Sequence, residues 1–488
     1  MKKISLTFKN FFINLGKGIK NFFKKLGGGF LGIFKNLGTW FKKGSLWTKL
    51  TFFLPGLGNL ARKQIIKGLL FLGLEVLLLL FLILSPVVNN TPFGFRGIIN
   101  FFTLGSYDGT TWTTGYNPIT NEYDVFIAQA ADNSLLMLLF GLISIAVLVI
   151  FIILWYQSIK SSYQVDLLVL YQRKVPKFKD DAKTLVNEKF HTSLLAVPIL
   201  GVLVFTVLPI IFMIFLAFTD YSKTTDANGL FNWVGFSTFI KLFSVEGLRN
   251  SFGSVLLWTI IWAVGATFSN YYLGIMLAVL INKKEIKLKK LWRTIFILTI
   301  ALPQFVSLLV VGMLIDVNGP FGHLLPFEIL TNEQTVWIPR IAILIINLWV
   351  GVPYTMLLTT GILMNIPTDL YEAAKIDGAS KMQMFRYITL PYVFFITTPA
   401  LITSFMGNIT SFNIIYLLTG GAGGVPPTDP SAAGGTDLLV TWLYKMTVVQ
   451  RDYNIGAVIS IITFIILSIG TLITYRRSKS YKEEEAFQ

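Results

Sequence analysis

Eight stretches of this sequence are long and apolar enough to cross a bilayer as helices, and lipid leaves them little choice of structure. A hydrocarbon core about 30 Å thick needs about 20 mostly apolar residues. Runs of that kind lie at about Gly68–Val88, Ser134–Tyr156, Leu194–Phe218, Gly253–Ile281, Thr294–Ile315, Trp337–Met364, Tyr392–Leu418 and Ile455–Tyr475. No water is present in lipid to satisfy an open backbone, so each run closes its hydrogen bonds within itself. The expected fold class is an all-α membrane protein with eight transmembrane helices. Composition agrees: 54% of residues are hydrophobic and 14% charged, against roughly 25% charged in a typical globular domain.

The net charge of +16 raises the possibility of a nucleic-acid partner, which the location of the charges decides. With both termini on one side, the inner segments hold 33 Lys and Arg against 11 Asp and Glu, and the outer segments 7 against 13. That asymmetry is the positive-inside pattern of a cytoplasmic membrane protein with both termini in the cytoplasm. It removes the main support for nucleic-acid binding. The long outer loops are Asn89–Asn133 and Thr419–Asn454.

Residues 1–64 contain 13 basic residues and no acid. Their apolar positions repeat every eleven residues, as in Phe8, Ile19, Phe30 and Phe41, or Phe12, Phe23 and Phe34. Eleven residues close three helical turns and keep one side apolar. This predicts an amphipathic helix lying in the plane of an anionic leaflet. Gly27, Gly28, Gly29 and Gly32 predict that it is segmented.

Little in the chain supports chemistry of its own. There is no Cys, only two His (His191 and His323), and no G-x-x-x-x-G-K-[ST] loop. No catalytic residue, metal site or cofactor is expected, and ATP hydrolysis would fall to another chain. Within the spans, ionisable groups are few. Glu75 sits in the first, where it could snorkel or pair with Lys67 or another helix, and Asp316 ends the fifth.

The most informative segment joins spans six and seven, residues 365–391. Pro367 with Thr368 or Asp369 starts a helix and Gly378 stops it. Ser380 caps a second helix, which Pro391 is expected to close. Ala373 and Ala374 lack bulk, so this helix can approach a partner's wall, with Tyr371, Met384 and Phe385 to fill its pockets. From the residues alone, a loop resting on the membrane is equally open.

Glu372-Ala373-Ala374, then Gly378, then Ile388-x-Leu390-Pro391 resembles the E-A-A-x3-G-x9-I-x-L-P signature of permease subunits of binding-protein-dependent ABC importers. The resemblance implies a coupling helix that docks on an ATPase subunit, with Leu370, Tyr371, Glu372, Ala373, Ala374, Asp377, Gly378, Met384 and Phe385 as coupling residues. Ala217-Phe-Thr-Asp-Tyr-Ser222, Ser404-Phe405, Leu417-Leu-Thr419 and Thr436-Asp-Leu-Leu-Val440 resemble the larger permease subunit of maltose-type importers. So does the layout of a six-span core over 194–478 preceded by two additional spans in 65–193. The basic region 1–64 and a cytoplasmic tail 479–488 complete the expected organisation.

The same resemblance places Gly351, Tyr354, Asn408 and Ser411 at the sugar. An aromatic edge and an amide suit a polyhydroxylated ring, although Asn408 could equally glue two helices together. The sequence departs from the pattern at Gly407, where an aromatic is expected, and at Ser411, where an amide is. Implied partners are a second permease subunit, two ATPase subunits carrying ATP and Mg, an extracellular sugar-binding protein, a maltodextrin-type oligosaccharide and membrane lipids. Competing readings are an ABC permease for another oligosaccharide or polyol, and an ion-coupled secondary transporter.

Overall fold

The computed structural model describes residues 27–29, 31–89, 91–104, 110–117, 122–130, 133–188, 190–226, 230–283, 285–316, 318–324, 329–330, 335–421 and 432–477. Most of the eleven-residue repeat and the 479–488 tail lie outside them. Among the described residues, seven helical segments are long and apolar enough to cross a membrane: Ile65–Leu84, Ser134–Leu170, Ser193–Leu216, Glu246–Asn282, Trp337–Leu363, Lys381–Thr419 and Tyr453–Leu472. The eighth expected span is broken, with Lys289–Ala301 and Gln304–Ile315 meeting at 94°. Pro303 is the cause. It disfavours helical backbone at the residue before it, and Leu302 is extended (φ −78°, ψ 136°), so one helix ends and Pro303 caps the next.

The chain divides into two compact units, 1–212 and 213–488. In the first, residues 31–43 are helical, followed by helices Leu46–Thr51 and Leu57–Ala61. These pack on Ser134–Leu170. Trp40 lies tilted against Tyr156 at 5.2 Å and stacks on Tyr163 at 6.0 Å. Asp166 accepts from the Ser45 amide at 2.8 Å and the Thr48 hydroxyl at 2.6 Å, and pairs with Arg62. Gly58 allows the close approach, since a Cβ there would lie 1.9 Å from Ser162 Oγ.

Glu75 is 2% exposed, and neither carboxylate oxygen has a partner among the described residues. Lys67 pairs instead with Asp181 at 3.2 Å. The loop before Ser134–Leu170 carries an antiparallel hairpin, Thr110–Asn117 with Glu122–Ala130, which apolar-run counting does not reveal.

The second unit is organised around the 37-residue helix Glu246–Asn282. It packs on Trp337–Leu363 and Leu390–Ile409. Contact is close at Gly274, where a Cβ would sit 2.5 Å from Thr355 Cβ. At one end of this unit Trp258, Trp262, Ile343, Ile414 and Leu438 form a buried cluster. Residues 432–452 are tied to it. Trp258 Nε1 donates to the Thr436 carbonyl at 3.3 Å, the Leu439 amide donates to Thr259 Oγ1 at 3.0 Å, and Arg340 lies 4.2 Å over the Trp258 ring while donating to the Gly435 carbonyl. Burial pushes the Asp437 carboxyl above its usual range, and Lys445, 2.7 Å away, opposes that shift.

Candidate functional site: a central cavity and a coupling loop

Three helices of the second unit enclose a cavity of about 250 Å³. Glu246–Asn282 contributes Thr267, Asn270 and Tyr271, Trp337–Leu363 contributes Asn347, Gly351 and Tyr354, and Leu390–Ile409 contributes Thr397, Ser404, Gly407 and Asn408. Three of the four expected sugar residues, Gly351, Tyr354 and Asn408, therefore share one wall-to-wall space. Ser411 does not line it. The helix ends at Ile409, and the Ser411 amide turns back to the Asn408 carbonyl at 3.2 Å.

Among the described residues, no charged side chain lines the cavity. Asn408 Nδ2 donates to Thr267 Oγ1 at 2.8 Å, and the Asn408 carbonyl accepts from Trp262 Nε1 at 3.1 Å. The amide thus both joins two helices and borders the space. Tyr271 and Thr397 share a hydroxyl bond at 2.6 Å.

Two side chains that sequence reasoning missed are the least satisfied. Asn270 Oδ1 and Asn347 Nδ2 are buried without a partner among the described residues, in side chains 9% and 6% exposed. An orphan acceptor or donor in an apolar setting costs about 1–3 kcal/mol. Neither atom is itself open to the space, so a ligand hydroxyl, which is both donor and acceptor, would pair with either amide only once that side chain turned toward it. The sequence signal was an amide within each of two spans, at positions 270 and 347.

In the loop between the sixth and seventh spans, the expected coupling segment forms the helix Thr368–Ile376, opened by Pro367 as its N-cap. Asp377 is the C-cap and Gly378 follows with φ +78°. The Ala379 amide closes the turn on the Ala374 carbonyl at 2.9 Å. Ser380 then caps the next helix through a reciprocal pair with Gln383, the S-x-x-Q pattern of a capping box.

Pro391 does not close this second helix. Lys381–Met384 runs through a π-turn, Phe385–Thr389, directly into Leu390–Ile409. A proline ring inside an α-helix collides with the carbonyl four residues back. The widened turn just before Pro391 makes room for it.

Glu372, Ala373, Asp377 and Gly378 are exposed, as are Leu370 (47%) and Ile376 (87%). Tyr371, Met384 and Phe385 turn the other way. With Val279, Asn282, Leu363 and Thr389 they line a cleft of about 270 Å³ inside this chain. Phe385 packs against Tyr271, Ile275, Ile362 and Val393, and the Tyr371 hydroxyl bonds Thr389 Oγ1 at 2.8 Å. These three anchor the Thr368–Ile376 helix to the spans, while Leu370, Ala373 and Ile376 remain outward.

Removing the Tyr371 bond as Tyr371→Phe is expected to loosen the loop by about 1 kcal/mol. Hydrogen exchange at 368–378 should rise about fivefold, with exchange in Glu246–Asn282 unchanged.

Residues 270–478 match the family described as "Binding-protein-dependent transport system inner membrane component". The "Galactooligosaccharides transport system permease protein GanP" of Bacillus subtilis (strain 168) is 35% identical over 445 residues, covering 89% of this chain and 98% of that protein. The chain belongs to this permease family. The "Maltodextrin transport system permease protein MdxF" of the same organism is 32% identical over 452 residues, 89% of the permease and 96% of the relative.

The likeness to the larger maltose-type subunit is also direct. The "Maltose/maltodextrin transport system permease protein MalF" of Klebsiella aerogenes is 35% identical over 249 residues, 49% of the permease and 47% of that protein. The fold of a bacterial ABC transporter involved in the import of the acidic polysaccharide alginate superposes with TM-score 0.50 at 21% identity, covering 61% of the permease and 97% of that chain. The two full-length relatives extend the similarity into the first two spans, where the signature residues themselves gave only a layout.

Proposed function

We propose that this permease is the translocation subunit of an ATP-driven importer for neutral oligosaccharides of the maltodextrin type. It would work with a second permease subunit, two ATPase subunits that bind ATP and Mg, and an external sugar-binding protein, with both its termini in the cytoplasm. The observation that supports this reading is the cavity lined by Gly351, Tyr354, Asn408 and the two amide side chains Asn270 and Asn347, with no charged side chain among its described lining residues. Hydroxyls of a sugar ring suit those amides, and Tyr354, 52% exposed, offers a face on which a ring can stack. A phosphorylated or acidic cargo would need a cation that this wall lacks.

ATP binding closes the ATPases and moves the Thr368–Ile376 helix. Because Tyr371 and Phe385 hold that helix to the spans around Tyr271 and Thr397, the movement reaches the cavity wall. Such coupling requires ATP to favour one state over the other, since a ligand with equal affinity for both shifts nothing.

A galactooligosaccharide is the second reading, favoured by the likeness to GanP. Gly407, lacking a side chain at the cavity wall, is compatible with either cargo. Detergent purification should co-elute a second permease and an ATPase, and the assembly's ATPase rate should rise with maltodextrin and the binding protein. Stimulation by galactooligosaccharide alone would assign the second cargo. Cargo uptake by this chain alone, driven by an ion gradient, would refute the reading. Tyr354→Ala is expected to change the order of sugar preference in uptake assays while the ATPase still co-purifies.

A further inference from the structure

We infer that the outward side of residues 31–54 is a docking surface for anionic phospholipid, its lysines meeting lipid phosphates and its apolar side chains entering the headgroup layer. The geometry fixes which side faces away from the protein. Trp40 is held against Tyr156 and Tyr163, and Ser45, Thr48 and Arg62 are held at Asp166, so the segment is fastened along one side to Ser134–Leu170. On the other side of helix 31–43 lie Leu31, Phe34 and Phe41, 72%, 60% and 46% exposed. Their spacing puts them on one stripe, with Lys35 and Lys42 beside it. Phe53, 79% exposed, follows the same segment.

The lysines on this face are not neutralised within the described residues. The ion pairs among the described residues are Arg62–Asp166, Lys67–Asp181 and Lys445–Asp437, so Lys35, Lys42, Lys43 and Lys49 have no acid. Nor do residues 1–64 contain one to offer. Asp166, the carboxylate to which this segment is fastened, is already engaged by Ser45, Thr48 and Arg62.

Depth agrees. The 37-residue helix Ser134–Leu170 is about 55 Å long, well beyond a hydrocarbon core of about 30 Å. Tyr156 lies about 33 Å along it, where that core would end, and Asp166 about 48 Å along, so the segment runs from the interface outward. Beside Tyr156, Trp155 Nε1 donates to the Phe52 carbonyl at 3.0 Å, in the aromatic belt typical of a membrane interface. An acidic peptide or nucleic acid would satisfy the lysines but leave Leu31 and Phe53 in water. An apolar protein partner would cover those side chains and leave the lysines unpaired. A leaflet of anionic lipid meets both demands.

The inference rests on the cytoplasmic N-terminus and not on the cargo. The chain has no Cys, so Leu31→Cys or Phe53→Cys can carry an environment-sensitive fluorophore at a unique site in the full chain. The protein is reconstituted in vesicles of phosphatidylcholine alone, or with phosphatidylglycerol added. Blue-shifted emission and protection from an aqueous quencher are expected only with phosphatidylglycerol, and only at low salt, where such charges are poorly screened. Combining Lys35→Gln, Lys42→Gln and Lys43→Gln should return the probe to its aqueous signal, each lysine lost lowering the docked fraction about fivefold. The three Arg replacements should leave docking intact. A blue-shifted probe in both lipids, indifferent to salt, would mean that protein covers this face and would overturn the proposal. An aqueous probe in both would overturn it equally.

Discussion

Replacing Gly378 by valine is expected to reduce sugar uptake about tenfold or more while the chain remains inserted and the cavity is unchanged. Gly378 sits at φ +78°, and a Cβ there would meet no atom within 4 Å. The penalty is therefore conformational and not steric crowding by neighbours. An L-residue in the left-handed region costs about 1–2 kcal/mol, and a β-branched one is worst placed to adopt it. About 1.4 kcal/mol is tenfold in population. The strain falls where the Ala379 amide turns back on Ala374, the bond that sets where Thr368–Ile376 ends and Ser380 begins the next helix. Asparagine tolerates this backbone, so Gly378→Asn should retain most of the uptake. Equal loss in Asn and Val variants would show that it is the glycine's lack of bulk against a partner, and not its backbone, that matters. Uptake in vesicles and co-purification of the ATPase, measured for both variants, separate these outcomes.

The spans were legible because lipid leaves an apolar run one option, and their number survives even where Pro303 splits one in two. That break was not legible. Leu302-Pro303 interrupts no apolar run, and a proline can kink a membrane helix or end it, the difference lying in what packs around the bend. The turn at Gly378 was legible because only backbone conformation was at stake. The direction of Tyr371, Met384 and Phe385 was not, since the loop has apolar groups on both sides and sequence alone does not say which side meets the spans. The same limit applies in the cavity. Gly351, Tyr354 and Asn408 entered through likeness to a family, whereas Asn270 and Asn347 went unnoticed because an amide in a membrane helix reads equally well as interhelical glue. What singles them out is the pairing of burial with an unmet atom, which exists only after three helices have closed around it.

Gly351 carries the second large effect, because it allows Asn270 to occupy its place. A Cβ at Gly351 would lie 2.2 Å from Asn270 Nδ2 and 2.5 Å from its Cγ. The two helices cannot easily part to admit it, since Gly274 already brings Glu246–Asn282 against Thr355 and the Met356 backbone. Overpacking of this kind costs about 1–3 kcal/mol. The amide must then rotate into the cavity, displacing the group that would meet a sugar hydroxyl. Gly351→Ala is therefore expected to lower uptake about tenfold with the protein still assembled. Shortening the neighbour at the same time distinguishes two roles for the glycine. If it serves to house the Asn270 amide, Gly351→Ala combined with Asn270→Ala removes the collision, and uptake should exceed that of Gly351→Ala alone, a positive coupling between adjacent sites. If Gly351 instead touches the sugar directly, the added methyl still blocks the ring, and the double variant should transport no better than the single one.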